Sequence, residues 1–168
     1  RSRDEPYFVA SCHVMEDGGI YKIWYLSCVG WEEKNNTLIH RYHIKYATSH
    51  NGIDWDRKGT IAINFRYENE YAISVPRVLK EEGIYKMWFS YRGGPKGETY
   101  RIGYAESADG EHWIRKDELV NLDVSPTGWD SEMICYPFVF HFQNKKYMLY
   151  NGNGYGRTGF GLAVLKPE

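Results

Sequence analysis

The chain has 168 residues, with 21 Lys or Arg against 22 Asp or Glu, so its formal net charge at pH 7 is −1. A single domain of this length is large enough to bury a hydrophobic core. The near-zero net charge argues against nucleic acid and anionic lipid as partners. No apolar run is long enough to span a membrane. Three dispersed cysteines, Cys12, Cys28 and Cys135, argue against a disulfide framework, so we expect a cytoplasmic protein.

The elements of the chain follow a repeated order. The phrase GIYKIWYLS (19–27) returns as GIYKMWFSY (83–91) and more weakly as KKYMLYNG (145–152). The longer phrase YHIKYATSHNGIDWDR (42–57) returns as YRIGYAESADGEHWIR (100–115), with matching positions 58 residues apart. A period near 60 exceeds that of the usual helical solenoids, so the pattern inside one repeat must decide the architecture.

Each repeat contains several short strand-like segments. YAISVPRVL is an apolar run, IYKMWFSY and YRIGYAES alternate, and EHWIRK follows a turn. The dipeptides Asn51-Gly52 and Asp109-Gly110 predict two-residue hairpin turns, whose positive φ angles fit the twist of paired strands. No segment keeps a 3.6-residue apolar period. Four antiparallel strands in tandem repeats are typical of β-propeller blades.

The sequence therefore predicts an all-β chain, a single partial β-propeller domain of about three four-stranded antiparallel blades. The repeats span about 7–65, 66–125 and 126–168, and the last lacks its outer strand. Trp55 and Trp113 are expected on the outer strands, packed between blades. Three blades are fewer than the roughly four to eight of a closed ring. The unmatched blade faces and the open edge strand predict a homodimer.

Two motifs are set aside. GYGRTG (154–159) satisfies the dinucleotide pattern GxGxxG, but the strand-like FGLAVL follows it where a helix is required. The six histidines do not cluster, and His40 and His43 fall on opposite faces of a strand. We therefore expect neither a metal nor another cofactor.

Small groups of acids precede the first strand of each repeat. These are Asp4 and Glu5, then Glu68 and Glu70, then Asp130 and Glu132. If the first strands line a central channel, the acids converge at one mouth, as the paired carboxylates of glycoside hydrolysis must. Solvated loop acids are the equally weighted alternative. Within WDSEMICYP, Glu132 stands between Trp129 and an apolar strand, an environment that suits a general acid.

Aromatic and basic residues near the same mouth suit a saccharide ligand. Tyr71, Trp129, Tyr136 and Tyr155 are candidates for stacking on sugar rings, although most tyrosines of such a chain pack between blades. The arginines there are candidates for binding hydroxyls or a carboxylate, or are ordinary surface residues. They are Arg77, Arg92 and Arg157.

Three phrases, GIYKMWFSYRG, YRIGYAESADGEHWIRKD and WDSEMICYPFVF followed by YMLYNGNGYGRTGFGLAVL, carry a family resemblance over nearly the whole chain. The sequence resembles the last three blades of the five-bladed propeller glycosidases, the arabinanase, xylosidase and invertase group (glycoside hydrolase families 43 and 32). That resemblance implies a carbohydrate substrate in a central funnel, with an Asp nucleophile or base, a second modulating Asp and a Glu acid.

Only part of the catalytic residue pattern of these glycosidases is found in this sequence. Its catalytic Asp precedes a Pro on an innermost strand, whereas here Val75 precedes Pro76 and Tyr136 precedes Pro137. The resemblance implies that Glu132 is the general acid. Asp130 and Glu70 are the other two candidate catalytic carboxylates. We thus expect a carbohydrate-binding or carbohydrate-active propeller fragment without a full catalytic set in one chain. The alternative is a non-catalytic interaction or assembly module.

Overall fold

The computed structural model describes residues 5–34 and 36–165, and most of them lie in β-strands. Asp4, one of the acids named above, lies outside the described residues. No helix of this part of the chain is long and apolar enough to cross a membrane. The strands form three antiparallel units, so the predicted all-β, partial propeller architecture is confirmed.

Blade 1 is the longest of the three units. It consists of β1 (Val9–Asp17), β2 (Ile20–Lys34), β3 (Thr37–Ser49) and the short outer strand β4 (Ile61–Ile63). Neighbouring strands pair antiparallel in chain order. The inner strand β1 is mostly exposed, whereas the middle of β2 and β3 is buried.

Blade 2 repeats this order and lies between the other two. Its strands are β5 (Ala72–Glu81), β6 (Ile84–Arg92), β7 (Arg101–Ser107) and β8 (Ile114–Arg115), followed by a 3-10 turn at Asp117–Val120. A single parallel bridge between Tyr42 and Ala72 joins blade 2 to blade 1. Within the blade all pairs are antiparallel.

Blade 3 has three strands in the described part of the chain, in agreement with the predicted lack of an outer strand. They are β9 (Cys135–Phe142), β10 (Lys145–Asn151) and β11 (Phe160–Val164). The GYGRTG segment joins β10 to β11 and includes the single turn α1 (Asn153–Gly156), in which Gly154 and Tyr155 have positive φ. A strand, β11, follows the motif, as the sequence predicts.

The tight hairpin turns lie at other positions than the sequence predicts. Two-residue turns with both φ values positive connect the first two strands of each blade, at Gly18-Gly19, Glu82-Gly83 and Gln143-Asn144. At Asn51-Gly52 and Asp109-Gly110 only the glycines have positive φ. These two dipeptides belong to longer loops, so their assignment as two-residue hairpins is wrong.

The longer loops are organised by side chains instead. In the loop after β7, the Ser107 hydroxyl accepts the N–H of Gly110 at 2.8 Å, and Asp109 Oδ1 accepts the N–H groups of Glu111 and His112, each at 2.8 Å. Ser49 and Asn51 form the same arrangement after β3. Asn and Asp side chains make such turns readily because they bond to backbone groups two or three residues ahead.

Tryptophans fix the contact between blades 1 and 2. Trp24 on β2 is fully buried, and its indole N–H donates to the Gly110 carbonyl at 2.7 Å. Trp113 donates to the same carbonyl at 2.9 Å, and the two indoles meet edge to face at 6.0 Å. Trp113 therefore packs between blades as expected, but from the loop before β8 rather than from a strand. Its equivalent, Trp55, lies on the open side of blade 1.

Candidate functional site

The innermost strand of every blade is interrupted near its start. Ser11, Val75 and Tyr136 have φ values of 40°, 51° and 58°, and the strand register shifts beside each of them. A β-branched or bulky residue adopts positive φ only where its surroundings enforce it. The bulges bend the inner strands at the same end of the three blades, next to the candidate site.

Tyrosines from all three blades meet at that end. Tyr42 of β3 and Tyr100, which precedes β7, are both buried and hydrogen bond to each other through their hydroxyls. The ring of Tyr100 lies 5.8 Å from that of Tyr136 and 6.1 Å from that of Tyr155. Tyr136 is held in place by its own N–H, which donates to the Ser90 hydroxyl at 2.8 Å. The tyrosines are thus fixed by packing and backbone bonds.

Arg92, at the end of β6, lies among these rings. Its guanidinium stands 4.5 Å from the centre of the Tyr100 ring and 5.5 Å from that of Tyr155, and it donates a hydrogen bond to the Tyr155 hydroxyl. We call this group the Arg92–tyrosine cluster. Its members are Arg92, Tyr42, Tyr71, Tyr100, Tyr136 and Tyr155.

Arg92 keeps its charge, and Tyr42 and Tyr136 keep their hydroxyl protons, at neutral pH. Burial lowers the pKa of Arg92, but the neighbouring tyrosines, Tyr71 and Tyr100 first, raise it above its usual value on balance. Burial raises the pKa of Tyr136 to about 12. Burial also raises the pKa of Tyr42, and by more. The cluster therefore combines one cation with hydroxyls that act as donors and acceptors.

The cluster also reaches the surface. Tyr155 is 47% exposed, and Tyr71, Tyr136 and Arg92 are half-buried. Flat aromatic rings beside hydrogen-bonding groups suit a polar ligand with an apolar ring face, of which a sugar is the usual example. Of the residues named from the sequence, the structure brings together Tyr71, Tyr136, Tyr155 and Arg92.

Glu70 lies elsewhere and has a structural environment. Its carboxylate is fully buried and receives two hydrogen bonds from Arg115, at 2.8 and 3.0 Å. Arg115 also contacts Asp117 at 2.6 Å, so a buried ion pair closes the end of blade 2. A carboxylate held in this way by an arginine is closed to a ligand, and the placement of Glu70 at an open channel mouth is wrong.

Asp130 and Trp129 are likewise part of the packing of blade 3. Asp130 is 4% exposed and accepts a hydrogen bond from the Tyr150 hydroxyl at 3.1 Å. The Trp129 indole stacks on the Tyr150 ring at 5.6 Å and covers Gly152 and Gly161, where a Cβ atom would come within 2.4 and 2.5 Å of it. The Trp129 side chain thus packs against Gly152 and Gly161, and Asp130 is bonded to Tyr150 of β10.

Glu132 is exposed, so the expectation that it is embedded beside Trp129 is wrong. Its backbone is well fixed: its N–H donates to Asn153 Oδ1 at 2.8 Å and its carbonyl accepts from Arg101 at 3.0 Å. Arg157 is exposed on the loop after α1. Roles of Glu132 and Arg157 in binding or catalysis stay predictions.

Arg77 lies deeper along the inner strands than the cluster. Its Nε donates to the Val139 carbonyl at 3.0 Å, its Nη1 is 3.4 Å from His13 Nδ1, and its guanidinium covers the Phe138 ring at 4.3 Å. It therefore joins the inner strands of all three blades.

The remaining acids do not complete a carboxylate pair at the cluster. Glu5 is buried and bound to Arg57 at 2.8 Å, and Glu68 is exposed. Among residues 5–34 and 36–165, no three His, Cys, Asp or Glu side chains are grouped so that they could hold a metal ion.

Two members of the cluster, Tyr42 and Tyr100, were not singled out by the sequence. The signal was present, because they occupy the first position of the two long repeated phrases and are 58 residues apart. The pattern predicted similar positions in two blades without showing that the two side chains meet.

One sequence relative covers nearly the whole chain. The uncharacterized protein Rv1502 of Mycobacterium tuberculosis is 43% identical over 162 residues, which are 96% of this chain and 52% of the relative. The chain thus spans about half the length of the curated relatives that it matches. No protein family model matches the sequence.

Solved structures of similar fold include several glycoside hydrolases. Zg3597, a family 117 glycoside hydrolase of the marine bacterium Zobellia galactanivorans, gives a TM-score of 0.71 at 16% identity, over 98% of this chain and 54% of that protein. A thermostable family-43 glycoside hydrolase gives 0.63 at 18% identity, over 84% and 41%. A complex of BT0996 and RGII gives 0.74 at 18% identity, over 99% and 49%. The chain therefore has a glycosidase-like propeller fold.

Proposed function

We propose that this chain is a carbohydrate-binding part of a glycosidase-like propeller, and that a saccharide binds at the Arg92–tyrosine cluster. The observation that carries the proposal is the cluster itself, in which aromatic rings from three blades surround one arginine at the surface. The glycosidase-like fold supports a saccharide over other polar ligands. Binding at this position uses Tyr155 and Tyr136 as ring platforms and Arg92 as the donor.

Binding is a better proposal than hydrolysis for this segment alone. Glycoside hydrolysis needs two carboxyl groups on opposite sides of one glycosidic bond. Glu70 and Asp130 are engaged in buried contacts, which leaves Glu132 as the exposed member of the three candidate acids. Hydrolysis by a longer chain, of the length of the curated relatives, is a separate proposal that needs acids from outside this segment.

Isothermal titration calorimetry with a panel of mono- and oligosaccharides tests the proposal. We expect saturable binding of at least one sugar, weakened about fivefold or more in Tyr155→Ala, since a stacking ring contributes on the order of 1 kcal/mol. The matched control is Tyr7→Ala, because Tyr7 is similarly exposed but belongs to the segment before β1. Equal affinity in wild type and Tyr155→Ala, or no binding at millimolar sugar, contradicts the proposal.

A second candidate function is assembly through blade 3. Five large apolar side chains on β9 and β11 are exposed, each by 47% or more: Phe138, Phe142, Phe160, Leu162 and Val164. We call this surface the open face of blade 3. Phe138 and Leu162 both pair with the half-buried Leu149 of β10, so apolar side chains continue across all three strands. Contiguous apolar surface of this kind typically marks an interface.

A further inference from the structure

We propose that the saccharide bound by the Arg92–tyrosine cluster is acidic, and that Arg92 binds its carboxylate, as in a hexuronic acid. This inference rests on the proposed function and narrows its substrate class. The packing of the blades does not explain the environment of Arg92.

Arg92 carries a charge without an acidic partner. No ion pair of the described residues includes it, whereas the neighbouring Arg115 contacts Glu70 at 2.8 Å and Arg101 contacts Asp123 at 3.1 Å. The Nε of Arg92 is enclosed and has no hydrogen-bond partner within the described part of the chain. A half-buried guanidinium loses part of its hydration, and tyrosine faces replace only some of that loss. An anionic ligand on the exposed side of the guanidinium would compensate this charge, although it would not reach the enclosed Nε.

The geometry favours a carboxylate. Arg92 is held against the Tyr100 ring and by its bond to the Tyr155 hydroxyl, so its orientation is fixed before a ligand arrives. No hydrogen bond of the described residues uses its Nη1. A planar guanidinium with fixed orientation and unused donors matches the planar carboxylate group, which accepts two parallel hydrogen bonds.

The surroundings do not neutralise that charge. At the rim, Glu98 is paired with Lys34 at 2.7 Å, and Lys34 lies 5.8 Å from the centre of the Tyr71 ring. That pair is neutral as a unit, so it does not compensate the charge of Arg92. A sugar ring bound against Tyr155 places a carboxylate on its C5 position within the reach of the cluster.

The test compares ligands of one shape and different charge. Galacturonate and glucuronate are titrated beside galactose, glucose and the uncharged methyl ester of galacturonate. Acetate and inorganic sulfate show whether an anion without a sugar ring is sufficient. We expect the uronates to bind roughly 10- to 100-fold more tightly than the neutral sugars, as for other hydrogen bonds between charged groups. Acetate and sulfate should bind weakly or not at all.

Three variants locate the effect. Arg92→Met keeps an apolar stem over Tyr100 and should remove the preference for uronates, and Arg92→Lys should restore only part of it because the two-pronged geometry is lost. Arg41→Met is the matched control: Arg41 precedes Tyr42 on β3 but pairs with Glu32 at 3.2 Å. Its affinity for uronates should equal that of wild type, and melting curves must show that all three variants fold.

Two results separate this inference from the proposed function. If neutral sugars and the methyl ester bind as tightly as the uronates, and Tyr155→Ala weakens all of them, acidic selectivity is wrong while saccharide binding stands. If no sugar binds, both are wrong. Unchanged uronate affinity in Arg92→Met also overturns the inference, as does binding of acetate or sulfate with the affinity of the uronates.

Discussion

The hydroxyls of Tyr42 and Tyr100 hydrogen bond to each other, and these two residues occupy the same position in two successive blades. Tyr42 is 7% exposed and Tyr100 is 3% exposed, so the Tyr42 hydroxyl depends on that of Tyr100 for a partner. Ser74 adds a longer contact to Tyr100, at 3.5 Å. The repeat thus brings two equivalent side chains together where the blades converge.

The first prediction concerns this bond. Tyr100→Phe leaves the buried Tyr42 hydroxyl unpaired, and an unsatisfied buried donor costs about 1–3 kcal/mol of unfolding free energy. The double change Tyr42→Phe and Tyr100→Phe removes both groups, so it should cost less than the sum of the single changes. Urea unfolding of the four proteins measures this coupling. Tyr7→Phe, at an exposed residue, is the control, and strictly additive losses would falsify the prediction.

The second prediction separates structural from exposed carboxylates. Glu70→Gln removes one of the two carboxylates that bind the buried Arg115, while Asp117 remains bound at 2.6 Å. Losing hydrogen bonds to a charged group in this way should cost about 1.5–3 kcal/mol. Glu132→Gln, at an exposed side chain, should change the unfolding free energy by under about 0.5 kcal/mol. Thermal or urea unfolding measures both. A Glu70→Gln protein as stable as wild type would show that Glu70 is not held as the structure places it.

A third prediction tests the catalytic role that the family resemblance implies for Glu132. If Glu132 is a general acid in an active assembly, Glu132→Gln lowers turnover of an aryl or oligosaccharide substrate about 100-fold or more and leaves the fold intact. If the segment only binds sugar, affinity measured by calorimetry is the same in both proteins. Activity that is equal in wild type and Glu132→Gln dismisses the catalytic role.

Much of the fold could be read from the sequence because blade strands obey local rules. Alternation and the 58-residue register located the strands that carry Trp24 and Met87, and these residues are fully buried as such patterns require. The turns were harder. Asp109 and Asn51 bond to backbone groups ahead of them instead of adopting positive φ, and a dipeptide alone does not distinguish the two arrangements.

The site could be read only in part, since chain position does not reveal which partner a side chain meets. Glu70 and Glu132 occupy similar places before inner strands, yet Arg115 encloses the first and the second is exposed. Arg115 comes 45 residues after Glu70, and no local pattern links them. The cluster members Tyr71, Tyr136 and Tyr155 could be predicted as candidate ligand contacts, because aromatic residues near predicted strand ends can be recognised in the sequence.

The fourth prediction is that stability falls between pH 6.5 and pH 4. Burial, opposed by a bond to Asn64, lowers the pKa of His43 from 6.5 to about 4. The folded state thus favours the neutral ring, so this contribution is complete above pH 6.5 and is lost as the pH falls toward 4. The shift corresponds to about 3 kcal/mol for His43. Burial, followed by Arg77, also lowers the pKa of His13 to about 4.

Urea unfolding at a series of pH values measures this slope. His43→Leu should remove roughly half of the loss between pH 6.5 and 4, because His13 still titrates over the same range. The exposed His50 gives the control variant His50→Gln, which should keep the slope of wild type. A slope in His43→Leu that equals that of wild type contradicts the prediction.

The last prediction is that the chain associates through the open face of blade 3. Phe160 is 74% exposed and Leu162 is 56% exposed, and both stand on β11, an edge strand of its sheet. An apolar face beside an unpaired edge suits a two-fold contact, in which each copy covers the other with the same residues. Light scattering after size exclusion should give about twice the monomer mass at micromolar concentration.

Leu162→Glu should return the chain to monomer, since it places a charge in the centre of that contact. Leu38→Glu, at a residue 67% exposed on the β2–β3 hairpin, should leave the mass unchanged. A wild-type chain that is monomeric at these concentrations, or a Leu162→Glu protein that stays dimeric, excludes this face as the interface.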